Sequence, residues 1–329
     1  MTYIQRLCGL KMLLPENVFR PLIVIVGPTA AGKTELSIQL AKIINGEIIS
    51  ADSRLFYRGM DIGTAKPTLE ERSQVPHHLI DVAEPDEIWN LALFQKKANE
   101  IIAQIHHRGS IPILVGGTGQ YIRCVVEAWY LPEHRAYAKL REALERWGTD
   151  IGPNGLHQRL AVIDPEAANF IDPTNVRRTI RAIEVVFQSG ERFSQQRRRK
   201  DSPYSQLILG MQRPRKEIYE RVDARIEAMF AAGFVDEVQN LLKNGYSPKL
   251  PTLSAIGYRE VAAYLSGELT LEEAVIQMKR LTRNFVRRQS NWFKADDPAI
   301  HWFDIGNTPM QDLEVFIRSG EEWNIPDDH

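Results

Sequence analysis

Cysteine is almost absent from this chain: Cys8 and Cys124 are the only two among 329 residues. Two isolated thiols build neither a disulfide framework nor a zinc site, and they fit a reducing, cytoplasmic setting. No apolar run approaches the roughly 18 residues that suggest a membrane-spanning helix, so no membrane partner is expected. The first twenty residues lack the apolar h-region and small-residue cleavage site of a secretory signal, which leaves an organelle transit peptide as the alternative there. A surplus of one charge is missing too, with 41 Lys and Arg against 42 Asp and Glu. Any polyanion-binding surface must therefore come from local clustering. Internal repeats and low-complexity tracts are also lacking.

What is present from Pro21 onward is an α/β pattern. Leu22 to Val26 is a continuous apolar run, as expected of a strand buried on both faces of a parallel sheet. Ile48-Ile49, Ile111 to Val115 and Leu207 to Met211 supply further strands, with helices over Glu35 to Ile44 and Leu91 to His107. This alternation predicts a P-loop doubly wound parallel sheet. Between about Leu131 and Lys200 helical spacing replaces it, through Leu140, Leu144 and Trp147 and then Val176, Ile180, Ile183 and Phe187. A helical insertion domain is expected there. Ile218, Val222, Ile226 and Met229 mark a later helix stopped by Gly233, and a last helix is predicted over Leu271 to Phe293. The resulting domain plan is an N-terminal extension (1–20), the first part of the core (21–130), the insertion (131–200), the core continuation (201–305) and an acidic, partly ordered tail (306–329).

Gly27-Pro28-Thr29-Ala30-Ala31-Gly32-Lys33-Thr34 matches the phosphate-cradling pattern G-x-x-x-x-G-K-[ST], with a buried strand before it and a helix after. The glycines let backbone N–H groups turn onto phosphate oxygens, and the helix adds its positive end. Lys33 brings charge to the terminal phosphates, and the Thr34 hydroxyl is the usual magnesium ligand. A nucleoside-triphosphatase normally carries an acid at the end of a second apolar strand. Here Ile111 to Val115 runs into Gly116-Gly117-Thr118-Gly119, and Asp81, after the short run Leu79-Ile80, is the alternative acid. The carboxylate that directly follows the second strand is Asp52. That layout suits an anchored diphosphate serving as leaving group, with Asp52 facing the nucleophile.

The segments ADSRLFYRGMDIGTAKP (51–67), VPHHLIDV (75–82), ILVGGTGQYIR (113–123) and DPTNVRRTIRAIEV (172–185) follow the cradle in order. RPRKEIYERV (213–222), SAIGYRE (254–260) and RQSNWF (288–293) complete the set. Together they resemble the tRNA dimethylallyltransferase (tRNA isopentenyltransferase) family, colinearly over residues 21 to 303. The resemblance implies transfer of a five-carbon prenyl group from dimethylallyl diphosphate to the exocyclic amine of the adenosine just 3′ of the anticodon in tRNA, with magnesium assisting the diphosphate. The zinc finger found at the end of some eukaryotic members is missing, which favours a bacterial-type or organellar enzyme, and a cytoplasmic monomer is expected. Asp52 is then the base that accepts the amine's proton. Arg225, one helical turn from Arg221, is a diphosphate or active-site contact. Thr118, at the carboxyl edge of the sheet, orients either Asp52 or the amine. Family alignment assigns the path of the flipped base to Asp52, Ser53, Arg54, Leu55, Thr118, Arg141, Arg177, Arg178 and Arg181. Leu55 stands where many members have Gln, so apolar contact is expected there, and Gln120 replaces a usual hydrophobic residue.

Two stretches are locally basic. Arg177 to Lys200 holds eight basic residues and two acids, and Val275 to Lys294 holds six basic residues and no acid. Arg280, Arg283 and Arg287 share one side of a helix, opposite Met278, Leu281 and Phe285, and such a face suits an RNA backbone. The pairs His77-His78 and His106-His107 lack a partnering acid or cysteine cluster and are read as structural. The competing readings are an adenylate isopentenyltransferase acting on free adenine nucleotides, a P-loop small-molecule kinase and a non-enzymatic RNA-binding module. The basic insertion argues against the first, because a mononucleotide needs no such surface.

Overall fold

A computed structural model describes residues 20–131, 138–195 and 202–319, which divide between two compact units, one within 1–126 and 202–329 and the other within 127–201. The first unit is built on six parallel strands: β1 (Pro21–Val26), β2 (Gly46–Ser50), β3 (His77–His78), β4 (Ile111–Gly116), β5 (Ser205–Gln212) and β6 (Ile300–Asp304). Their order across the sheet is β3-β2-β4-β1-β5-β6. Every residue of β1 is buried, because β4 and β5 flank it and side chains cover both faces. That is why its sequence is uninterruptedly apolar.

The helices before the second unit are α1 (Lys33–Ile44), α2 (Leu69–Gln74), α3 (Leu91–His107) and α4 (Gly119–Val126). The second unit contains α5 (Ala138–Ile163), α6 (Pro165–Phe170) and α7 (Val176–Ser189). The first unit resumes with α8 (Arg215–Ala231), α9 (Phe234–Lys243), α10 (Tyr258–Leu265), α11 (Leu271–Gln289) and α12 (Met310–Ser319). In α5 the backbone leaves helical geometry at Gly152 (φ 72°, ψ 170°), and Pro153 restarts the helix where its missing N–H costs nothing. Leu144, Leu156, Leu160, Ile171, Ile180 and Ile183 form that unit's own core. Among the described residues no helix is long and apolar enough to cross a membrane.

Four local expectations change. The pairing at the far edge falls on His77–His78 and not on Leu79-Ile80-Asp81, since Leu79 and Asp81 have left-handed backbone (φ 59° and 56°) and turn the chain away. Edge strand β6 carries no sequence signature because only Ile300 of its five residues is buried. Helix α11 stops at Gln289 and not at Phe293, and its buried face is Ala274, Met278, Val286 and Gln289, leaving Phe285 40% exposed. The acidic tail includes helix α12, whose Leu313 and Ile317 are buried with Leu36 and Leu40 of α1. An amphipathic spacing of two apolar anchors outweighs acidic composition there.

Candidate active site

The cradle leaves β1 through Gly27, whose φ of 145° and close approach to the Met211 carbonyl both forbid a side chain: a Cβ would lie 2.5 Å from that oxygen. Ala30 (φ 68°) and Gly32 (φ 102°) are left-handed, which curls the loop into a concave backbone before α1 begins at Lys33. Such alternation of backbone hands points N–H groups inward, the geometry of an anion nest. Lys33 Nζ donates to the Gly27 and Pro28 carbonyls at 2.9 and 2.7 Å, which seats its ammonium inside the loop. Burial brings its pKa down to about 8, the nearby Asp52 carboxylate opposes that shift, and the Arg225 charge adds to it. Thr34 stands exposed at the same helix end.

Asp52 is held beside this loop by strand register. Ser50 pairs with Val115, Ala51 N donates to Val115 O at 2.7 Å, and a Cβ on Gly116 would lie 2.7 Å from Ala51 O. Only glycine permits that approach of the two strand ends. The adjacent carboxyl ends of β2, β4 and β1 thus carry Asp52, Thr118 and the phosphate loop side by side, the usual ligand edge of a doubly wound sheet. Asp52 Oδ1 also accepts from Arg54 N at 3.0 Å, so the carboxylate caps its own turn while one oxygen stays available. Thr118 starts α4 through its carbonyl, which accepts from Tyr121 and Ile122 N–H groups.

Arginines complete the rim. Arg221 Nε donates to Ala30 O at 2.9 Å and Arg213 Nε to Ala31 O at 3.1 Å, while Arg213 is also paired with Glu217. Arg225 is partly buried, and burial, with Arg221 close by, lowers its pKa from the ordinary value. Lys33, Arg221 and Arg225 beside the half-buried Asp52 form a field that favours a compact polyanion. Arg225 also borders a cavity of about 420 Å3 whose apolar wall includes Ile62, Pro67, Leu69 and Met229.

The remaining expected contacts fare differently. Arg54 is turned to the Pro251 and Thr252 carbonyls, both at 3.2 Å, and ties the Asp52 loop to the C-terminal half. Ser53 and Leu55 lie in that same turn, with Leu55 O accepting from Asp81 N. Asp81 does not serve as a metal acid: Lys66 at 2.5 Å and Arg72 at 2.7 Å occupy its carboxylate and, against the effect of burial, hold its pKa below the usual value. In the second unit Arg141 grips the fully buried Glu184 with two bonds of 2.8 and 2.7 Å, and Arg181 stands 3.5 Å from the same carboxylate. Arg178 lies over the Phe170 ring, and Arg177 is exposed. Arg197, Arg198, Arg199 and Lys200 lie outside the described residues. Arg141 is therefore first a structural residue. Arg141→Ala should lower stability by on the order of 2 kcal/mol, the scale of a lost hydrogen bond to a buried charge, read from the thermal midpoint. An unchanged midpoint with weakened RNA affinity would assign it to RNA alone.

Sequence reading missed two organising residues. Glu237 accepts from the consecutive N–H groups of Asp61, Ile62 and Gly63 at 2.9, 2.6 and 3.1 Å and from the Tyr258 hydroxyl at 2.6 Å, so it pins the loop that follows Asp52. No sequence signal separates it from other helical acids. Gln289 bonds both Thr29 and Gly117; the RQSNWF motif contained it without indicating a role. The histidines serve as structural links: His77 to Val75 O, His78 to Glu47 and His106 to Pro21 O. No group of three or more His, Cys, Asp or Glu able to hold a metal occurs among the described residues.

Comparison with known proteins bears on this arrangement. Residues 55–296 match the family model described as IPP transferase. The tRNA dimethylallyltransferase of Roseiflexus sp. (strain RS-1) is 52% identical over 274 residues, covering 83% of this chain and 90% of that protein. That of Thermomicrobium roseum is 45% identical over 289 residues, 88% of each. Among solved structures, the full-length tRNA isopentenylpyrophosphate transferase from Bacillus halodurans is 41% identical with a TM-score of 0.69, covering 92% of this chain and 98% of that one. A eukaryotic dimethylallyltransferase acting on tRNA is 30% identical with a TM-score of 0.74, covering 87% and 74%.

Proposed function

This chain belongs to the tRNA dimethylallyltransferase (IPP transferase) family, and we propose that its phosphate loop holds the diphosphate of dimethylallyl diphosphate while Asp52 takes the proton from the adenosine amine. The enzyme is a transferase that moves a dimethylallyl group onto the exocyclic amine of the adenosine 3′-adjacent to the anticodon of tRNA, and diphosphate is released. The bond from the prenyl first carbon to the diphosphate oxygen breaks, a bond from that carbon to the amine nitrogen forms, and the amine loses one proton. The observation that carries the residue assignment is the placement of Asp52, on the turn after β2, close enough to Lys33 for its charge to act on the ammonium. A cation for the leaving group and a base for the nucleophile thus stand at neighbouring strand ends.

Lys33 and the backbone N–H groups of Gly32, Lys33 and Thr34 at the start of α1 neutralise charge that grows on the diphosphate as it departs. Arg225 adds to that neutralisation, and Ile62, Pro67 and Met229 in the open cavity it borders offer the prenyl chain apolar contact. Thr118, on the neighbouring strand end, orients the amine or Asp52. Magnesium fits this donor set, since it commonly takes one or two protein oxygens together with phosphate oxygens and water; the exposed Thr34 hydroxyl would hold it, and it would screen the diphosphate's charge. The enzyme acts as a monomer in the cytoplasm. Mass analysis of the anticodon-loop nucleoside after incubation with tRNA and dimethylallyl diphosphate tests the reading. A prenylated free adenine nucleotide with unmodified tRNA would overturn it.

For the RNA backbone, the groove between α8 and α11 is the described surface of choice. It is lined by Tyr219, Lys279, Arg280, Arg283 and Arg287. Two of its cations are already balanced within the fold, Lys279 by Glu227 and Arg283 by Asp223. Arg287 bonds only the neutral Asn284 amide, and Arg280 is exposed. Neutralising Arg280 and Arg287 should therefore weaken tRNA binding and flatten its salt dependence by on the order of one log unit per log salt for each phosphate left without its cation. Arg283→Gln should flatten it less. Equal slopes for all variants, measured by titration at several salt concentrations, would remove this groove from the RNA surface.

A further inference from the structure

The glycines of Gly116-Gly117-Thr118-Gly119 are not there to adopt left-handed backbone, for none of the three has positive φ. Each instead clears space for a neighbour. Gly116 admits Ala51, whereas Gly117 and Gly119 admit side chains from the end of α11: a Cβ on Gly117 would collide with Gln289 Nε2, and one on Gly119 with the Trp292 ring. Gln289 enters the gap thus made and is 4% exposed. Its Oε1 accepts from Thr29 N at 2.8 Å, and its Nε2 donates to Gly117 O at 3.1 Å. The amide orientation is fixed by its partners, since a backbone N–H only donates and a carbonyl only accepts.

We infer that Gln289 is a positioning residue that sets the spacing between the diphosphate loop and the turn carrying Thr118. One rigid amide spans two loops from opposite ends of the chain's chemistry: Thr29 belongs to the loop proposed to grip the leaving group, and Gly117 precedes the threonine proposed to orient the nucleophile. Without the brace, each loop keeps its own strand but loses its distance to the other. In-line displacement is sensitive to that distance, because a misplacement of about 1 Å at a reacting centre costs on the order of 10²-fold in rate. The brace sits at the end of the helix that bears Arg280 and Arg287, so Gln289 links that helix directly to the phosphate loop, beside the indirect route through α8 and its Arg221.

The inference rests on the proposed donor site, and the experiment keeps the two separable. Prenylation by the native chain in the same assay tests the donor-site reading; the variants test the brace. Gln289→Met fills similar volume without either hydrogen bond, and Gly117→Ala displaces the amide while leaving Gln289 in place. Each should cut the single-turnover rate at saturating tRNA and donor by on the order of 10²-fold, with tRNA Kd unchanged. In Gln289→Ala the added methyl of Gly117→Ala meets no amide, so the double variant should be no slower than Gln289→Ala alone, a non-additivity that marks one shared interaction. A purely structural glutamine predicts otherwise: a lowered melting temperature, a native saturated rate in Gln289→Met, and independent costs in the double variant. Either a native rate in Gln289→Met or additive losses would overturn the assignment, and the Gly117 arm decides it if Gln289→Met fails to fold.

Discussion

Asp52→Asn should slow single-turnover prenylation by on the order of 10²-fold or more with tRNA and donor both saturating, the worth of a positioned general base. Adenine's exocyclic nitrogen shares its lone pair with the ring, so bond formation to carbon demands that its proton leave in step. Asparagine keeps the size of the side chain and its oxygen can still accept from Arg54 N, the bond that shapes the turn. What it lacks is a carboxylate able to take the proton. Binding of both substrates should survive, and kcat should fall together with kcat/KM, as expected for an interaction made in the transition state. A near-native single-turnover rate would shift the proton's route to water or Thr118.

Lys33→Ala should reduce turnover by on the order of 10²–10³-fold, the usual loss when a stabiliser of departing negative charge is removed, and it should weaken donor binding as well. The pH dependence gives a second signature. In the donor-free enzyme the ammonium loses its proton near pH 8, since burial depresses it with Arg225 adding and Asp52 opposing. The charged form binds the diphosphate, so donor affinity is full below that pH and declines as pH rises through it. Lys33→Ala should abolish this decline while lowering affinity throughout. Donor titrations between pH 6.5 and 9.5, roughly centred on that shifted lysine value, check both points. Unchanged affinity in the variant would place the donor elsewhere.

Much of this site is readable from residues because its determinants are local. A phosphate loop requires glycines at fixed spacing between a buried strand and a helix, and Asp52 follows its strand by two residues, so both can be found by position. What escapes is non-local. Glu237 and Gln289 act on backbone groups of distant segments, and nothing in their own neighbourhood records which N–H they will meet. The glycines after β4 are visible, yet their cause is a pair of side chains from the end of α11. Family alignment reads Arg141 and Arg181 as RNA contacts, and the buried Glu184 gives them a protein partner that composition cannot reveal. Edge strand β6 and helix α12 go unread for a different reason: each buries only one or two side chains, below what a periodicity search separates from a loop.

Strand β1 has β4 on one side and β5 on the other, and β5 follows the whole second unit in the chain. During synthesis the phosphate-loop strand therefore emerges long before one of its two partners exists. At roughly 5–20 residues per second, a bare apolar edge waits many seconds for Ser205–Gln212 to leave the ribosome. An unpaired edge of this kind recruits strands from other chains. Nascent chains stalled within residues 127–201 should accordingly be chaperone clients, and release of that dependence should coincide with exposure of β5 and not with completion of the helical unit.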